Sequence, residues 1–96
     1  MRGQARAQVQ EESARIRRGM ASGDHMSMEQ AAHKLAGGMG AIGLDALSAA
    51  ARSLMEALQL ALPPDEVRRC HESLDHQARA ADALLEHADH LLGPAP

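Results

Sequence analysis

Apolar residues recur every three or four positions along most of the chain, which is the spacing of one face of an α-helix. The pattern predicts four helical segments: about residues 4–20, a second from near Ser27, a third that opens after Gly43, and residues 65–92. Four helices joined by short breaks predict an all-α, antiparallel up-down four-helix bundle. We expect a single domain over residues 1–96, with residues 1–3 and 94–96 as disordered ends.

Local signals predict where the helices begin and end. Ser27 is a favourable N-cap for the second segment, with Gln30 three residues later as its capping-box partner. Pro63 and Pro64 are predicted to stop the third segment. The first segment has few apolar positions, which are Ala5, Val9, Ile16 and Met20. It is therefore predicted to be a reduced element or one that a partner supports.

The second segment contains a conflict between helix propensity and pattern. Gly37, Gly38, Gly40 and Gly43 fall within seven residues, and each glycine inside a helix costs about 0.5–1 kcal/mol relative to alanine. One interpretation ends the helix at Ala36, with a loop after it. The apolar pattern favours a continuing helix, because later apolar residues stay in phase with the earlier ones. That apolar series consists of Met28, Ala31, Ala32, Leu35, Met39 and Ile42.

His33 projects away from this apolar stripe and is predicted to face solvent. Gly37 and Gly40 follow it on the same face, one and two turns later, so the imidazole stands beside a surface without side chains. Near neutral pH much of an imidazole is unprotonated, and its ring nitrogen can attack an electrophile such as phosphorus. On this hypothesis Gly37 and Gly40 give a partner steric access. Gln30 and Lys34 orient the ring or touch phosphoryl oxygens.

Composition and charge remove several classes of function. The chain has no Phe, Tyr or Trp and a formal net charge of −3, which disfavours nucleic-acid binding. A core without aromatic side chains is poorly suited to a deep cofactor pocket. A single cysteine, Cys70, forms no internal disulfide and fits a reducing compartment. With no apolar run of membrane-spanning length and no secretory signal at residues 1–4, we expect a cytoplasmic protein.

The segment Ala32-His33-Lys34-Leu35-Ala36-Gly37-Gly38-Met39-Gly40-Ala41-Ile42-Gly43-Leu44 resembles the signature of histidine-containing phosphotransfer (HPt) domains. The resemblance extends over about residues 22–58. It implies a four-helix bundle that relays phosphoryl groups and is not itself an enzyme, with His33 as phospho-acceptor and Gly37 where the partner approaches closely. Many members have a lysine at the position of Ala36.

The resemblance also implies the partners, which are receiver domains of response regulators or hybrid sensor kinases. No cofactor is expected in this chain, and Mg²⁺ is expected in the partner receiver. No nucleic-acid or membrane partner is expected, and both a monomer and a homodimer remain open.

Three alternatives accompany the phosphorelay hypothesis. His33 could be an ordinary surface histidine, or the chain could be a non-catalytic helical adaptor or dimerisation module. A metal site on the fourth segment is the third alternative, with His71, His76, His87 and His90 as its histidines. His87 and His90 are at i, i+3, a spacing that can place two imidazoles on one metal, but the i, i+5 spacing of His71 and His76 is poor for ligands on a helix. No second helix offers an obvious completing set, so solvated polar faces are favoured and no metal site is predicted.

Overall fold

In the computed structural model of the chain, residues 3–92 are described, apart from the side chains of Asp89, His90 and Leu92. They form four α-helices: α1 (Gly3–Ser22), α2 (His25–Ala41), α3 (Asp45–Gln59) and α4 (Pro64–Leu92). Each helix packs against the two beside it in the ring α1–α2–α3–α4, and short turns join consecutive helices. Residues 3–92 contain no strand. The predicted all-α up-down four-helix bundle is confirmed.

Aliphatic and methionine side chains from all four helices fill the centre of the bundle. The largest of those that are almost wholly buried are Val9, Ile16, Met28, Leu35, Met39, Leu47, Leu54 and Leu74. Burial of one such side chain contributes about 1.5–3 kcal/mol. Alanines such as Ala32 and Ala51, which expose none of their surface, fill the space between them. These small residues let α2 and α3 approach closely, so the core closes without aromatic rings.

The first helix is longer and better packed than its few apolar residues predict. α1 spans 20 residues and buries Val9 and Ile16 against α2 and α4. Polar contacts also join α1 to α4: Arg6 Nε donates a hydrogen bond to Asp82 Oδ1 at 2.9 Å. α1 is therefore not a reduced element, and its support by a partner stays a prediction. Gly3 is the first residue of α1, and the other residues of the predicted disordered ends lie outside the described range.

The cap of α2 differs from the predicted one. Asp24 is the N-cap, and its side chain accepts from the backbone N–H of Ser27 at 3.1 Å and from the Ser27 hydroxyl at 2.9 Å. The bond from the Ser27 N–H holds the pKa of Asp24 below its ordinary value. Gly23, with φ +77°, reverses the chain just before Asp24 and so decides which residue becomes the cap. Gln30 lies inside the helix and is not part of a capping box.

Two further boundaries differ from their predictions. α3 ends at Gln59, before Pro63, because the chain turns at Leu60 and Ala61, and Pro64 is the first residue of α4. At the end of α2, Ile42 is 51% exposed, although its spacing predicts a core position. The helix stops at Ala41 and the chain turns at the next residues, which carries Ile42 out of phase with the buried stripe.

Candidate functional site

His33 lies in the middle of α2 on the side that faces away from the core, and its side chain is exposed as predicted. The opposite side of the helix is buried, with Ala32 and Leu35 exposing none of their surface. The imidazole is therefore accessible to another molecule, while the helix that carries it is fixed by the packing beneath.

The glycine-rich segment after His33 is helical, which settles the conflict in the sequence. α2 continues through Gly37, Gly38 and Gly40 to Ala41. Burial of Met39, which is 1% exposed, offsets part of the cost of these glycines. The Ser48 hydroxyl of α3 also donates to the Ala36 carbonyl at 2.7 Å, in a buried bond between the two helices. Tertiary contacts thus hold a segment of poor helix propensity in the helical state.

The three glycines inside α2 have different surroundings. A Cβ atom on Gly37 would meet no atom of the chain within 4 Å, whereas one on Gly38 would collide with the Gln8 side chain of α1. A Cβ atom on Gly40 would lie 3.2 Å from Ser48 Oγ and 3.8 Å from Arg52 Nη2, both on α3. Gly37 therefore leaves open space beside His33. Gly38 faces the movable end of the Gln8 side chain, and Gly40 packs against Ser48 of α3; the role of Gly40 in partner access stays a prediction.

Lys34 follows His33 in the sequence but points towards α1. Its ammonium lies 4.0 Å from Glu12 Oε2, and its carbonyl accepts from Gln8 Nε2 at 3.5 Å. Glu12 is almost fully buried, with Arg15 Nη1 3.5 Å from its other carboxylate oxygen, so it attracts nearby cations. The Lys34 ammonium thus lies on the side of α2 that faces α1, while the side chain stays more than half exposed. Ala36 is itself buried and presents nothing beside His33.

A groove of about 390 Å³ between α2 and α3 includes His33 in its wall. Gln30 also lines this groove, next to the imidazole. Across it, Gln59 Nε2 of α3 donates to Glu29 Oε1 at 3.0 Å. The remaining wall residues are Met26 and Met55. The groove gives His33 a mixed polar and thioether border, with flexible methionines that can adapt to a partner surface.

Sequence reasoning missed the α3 side of this groove, namely Met55 and Gln59. The available signal was their spacing: four residues apart on α3, they share a face. In an antiparallel pair, the end of α3 lies beside the start of α2. That arrangement places both residues opposite Met26 and Glu29.

The histidines of α4 have ordinary surroundings. His71 is half-buried, and burial lowers its pKa while the charge of Asp75 opposes the shift. His76 is exposed, and the side chain of His90 lies outside the described residues. Across the side chains that are described, no group of three or more His, Cys, Asp or Glu residues is arranged to hold a metal ion. Cys70 is half-buried and packs against the core.

The described helices include none with both the length and the apolar character needed to cross a bilayer. The family model of the Hpt domain matches residues 1–92 of the 96-residue chain. No curated protein and no solved structure matches the chain at a significant level.

Proposed function

Since the chain belongs to the Hpt domain family, we propose that it relays a phosphoryl group between receiver-domain aspartates and that His33 carries the group. Hpt domains are phosphotransfer carriers that interact with receiver domains in phosphorelays. The observation that carries the assignment to His33 is its exposure one turn before Gly37, where a side chain would meet no atom of this chain. That space is available to a partner.

The transfer step uses the neutral imidazole of His33 as nucleophile. A ring nitrogen bonds to phosphorus as the bond between phosphorus and the receiver's aspartyl oxygen breaks, and the aspartate leaves as a carboxylate with the electron pair. The ring keeps its proton on the other nitrogen. A second receiver reverses the step with its own aspartate. Little covalent machinery is needed from the bundle, because phosphoryl transfer depends on positioning and charge neutralisation.

The neighbours of His33 divide the work in this proposal. Gly37 admits the receiver surface, and Gln30, which shares the groove with the imidazole, orients the ring. Gly40 contributes through the α2–α3 packing, and Lys34 reaches the α1 side of α2, where its ammonium lies 4.0 Å from Glu12. The divalent cation and the acceptor carboxylates are expected in the receiver.

A labelling experiment tests the proposal. Receiver domains from the source organism are loaded with acetyl [³²P]phosphate and mixed with the wild-type chain, His33→Gln and His76→Gln. His76 is an exposed histidine on α4 and serves as the matched control. We expect acid-labile, base-stable label on the wild type and on His76→Gln, and at least about 100-fold less on His33→Gln.

Two results would overturn the assignment. Equal labelling of His33→Gln and the wild type would move the acceptor to another residue. A wild-type chain that takes no label from any receiver would favour the helical adaptor or dimerisation function instead.

A further inference from the structure

α2 and α3 together carry one lysine and one arginine, Lys34 and Arg52. An anionic partner that docks over His33 can meet a strong cation of these helices only at those two positions. The Lys34 ammonium lies on the α1 side, 4.0 Å from the buried Glu12 carboxylate. Arg52, on α3, is therefore the strong cation that these two helices carry on the α3 side of His33.

Arg52 lies beside the same face of α2 as His33. Its Nη2 atom is 3.8 Å from the position that a Cβ atom on Gly40 would occupy, so the guanidinium reaches across to a bare stretch of α2. Gly40 follows His33 by seven residues, which is two turns, so the two share a face about 10 Å apart. At this distance a Cβ atom on Gly40 would make an ordinary van der Waals contact with the guanidinium, so Arg52 lies directly beside Gly40.

The charge of Arg52 is not neutralised within the described part of the chain. Arg52 is exposed and belongs to none of the ion pairs seen among residues 3–92. On α1 and α4, three arginines each lie within 3.5 Å of a carboxylate oxygen, namely Arg6, Arg17 and Arg79, whereas the exposed Arg18 of α1 belongs to none of the ion pairs seen among the described residues. A planar guanidinium with several donors suits carboxylates, which it can bind with two parallel hydrogen bonds.

We propose that Arg52 is a docking residue whose guanidinium, lying over Gly40, binds acidic side chains at the rim of the receiver's aspartate site. This inference rests on the proposed phosphorelay function. The separation of about 10 Å between Gly40 and His33 along the helix directs Arg52 to the partner's carboxylates and away from the phosphoryl group on His33. It acts on the encounter of the two proteins, where a rim charge changes the association rate and its salt dependence.

The test compares Arg52→Gln and Arg52→Lys with the wild type and with Arg68→Gln. Arg68 is an exposed arginine near the start of α4, a helix that does not line the groove at His33, and it pairs with Asp65 at 3.2 Å, so its replacement makes the same change in net charge on another helix. The measured quantity is the second-order rate constant for label transfer from the ³²P-loaded receiver that phosphorylates the wild type fastest. The loss of label from each isolated phosphorylated chain is followed in parallel.

We expect Arg52→Gln to lower the transfer rate constant about three- to tenfold at low salt and Arg52→Lys to restore most of it. The difference should shrink between about 0.05 M and about 0.5 M salt, because added ions screen an exposed charge pair. The lifetime of the phosphohistidine should stay the same, since Arg52 does not touch the phosphoryl group.

Three outcomes would overturn the inference: an unchanged transfer rate for Arg52→Gln, an equal loss for Arg68→Gln, or a shortened phosphohistidine lifetime in Arg52→Gln, which would place the guanidinium at the phosphoryl group. A wild-type chain that takes no label would overturn the proposed function, and the docking role with it. The behaviour of the wild type thus separates the two failures.

Discussion

Two helix–helix contacts of the bundle are held together in different ways: the contact between α1 and α4, called the α1–α4 seam, and the contact between α2 and α3. The surface over the second contact, which carries His33, Gly37 and Arg52, is called the α2–α3 face. Between α1 and α4, charged groups pair within the chain, with Asp82 accepting from Arg6 at 2.9 Å and from Gln10 at 3.0 Å. Between α2 and α3, alanines and leucines pack closely, and the buried bond from Ser48 to Ala36 joins the helices. Groups that neutralise one another inside the chain offer little to a partner, whereas His33 and Arg52 face solvent.

The difference indicates how this small domain separates stability from function. Paired side chains and apolar burial make up for the few apolar residues of α1. The α2–α3 face is stable enough from its alanine and leucine packing to leave a histidine, a bare glycine and an arginine for another protein. Changes that block or remove the exposed groups around His33 should therefore act on transfer, whereas changes at packed positions between helices, including Gly40 and Asp82, should act on stability.

Gly37→Arg is expected to have the largest effect on transfer. The new side chain points into space that the chain itself leaves empty, so the fold should persist while the receiver can no longer approach His33. We expect the transfer rate to fall at least about 100-fold, because a small displacement of the reacting atoms costs that much. The measurement is label transfer from a phosphorylated receiver, with thermal unfolding followed by circular dichroism as the check on folding. Normal transfer by this folded variant would contradict the role of Gly37 in access.

The unfolding free energies of Gly37→Ala and Gly40→Ala should distinguish the open position, Gly37, from the packed position, Gly40. Gly37→Ala is expected to raise the free energy of unfolding by about 0.5–1 kcal/mol, because alanine favours an exposed helix position. Gly40→Ala brings a Cβ atom within 3.2 Å of Ser48 Oγ and disturbs the bond from that hydroxyl to the Ala36 carbonyl. We expect it to be less stable than Gly37→Ala by about 1 kcal/mol in urea unfolding. Equal stability of the two variants would show that Gly40 is as open as Gly37.

Asp82→Asn tests the α1–α4 seam and is expected to have the smallest effect. The pKa of Asp82 is lowered, first of all by the hydrogen bond from Arg6. A carboxyl with a lowered folded-state pKa stabilises the fold above its unfolded pKa, and this contribution is lost as the pH falls through the folded value. Because the pair is partly exposed, the variant should lose about 0.5–1 kcal/mol at neutral pH.

The difference in unfolding free energy between wild type and Asp82→Asn should narrow as the pH falls below about 3.9, the ordinary pKa of an aspartic acid, and close once the pH has passed the lowered folded-state pKa. Label transfer to His33 should remain at the wild-type rate. Slower label transfer to Asp82→Asn at unchanged unfolding free energy would show that the α1–α4 seam takes part in transfer and does not act on stability alone.

The sequence predicted the architecture and the exposure of His33 because both depend on helical spacing. Met39 stays in phase with Leu35, and that phase indicated that α2 continues through the glycines. The N-cap was misplaced at Ser27 because two good capping residues lie near each other, and the turn at Gly23 selects Asp24.

The partners of the glycines and of Lys34 could not be read from the sequence, because each lies on a neighbouring helix. Gly38 and Gly40 look equivalent to Gly37 until Gln8 and Ser48 are placed beside them. Spacing alone likewise gives no sign that the buried Glu12 draws Lys34 towards α1. These contacts depend on how the helices pack. The orientation of α1, which carries Gln8 and Glu12, was the hardest to predict because this helix has few apolar residues.

An NMR titration of the ¹⁵N-labelled chain with a receiver that phosphorylates it tests most directly which face of the bundle binds the partner. If the α2–α3 face receives the partner, amide shifts should concentrate around His33, Gly37 and Arg52, and α1–α4 amides such as those of Gln10 and Asp82 should stay in place. Shifts concentrated along the α1–α4 seam, with His33 and Gly37 unaffected, would contradict the account.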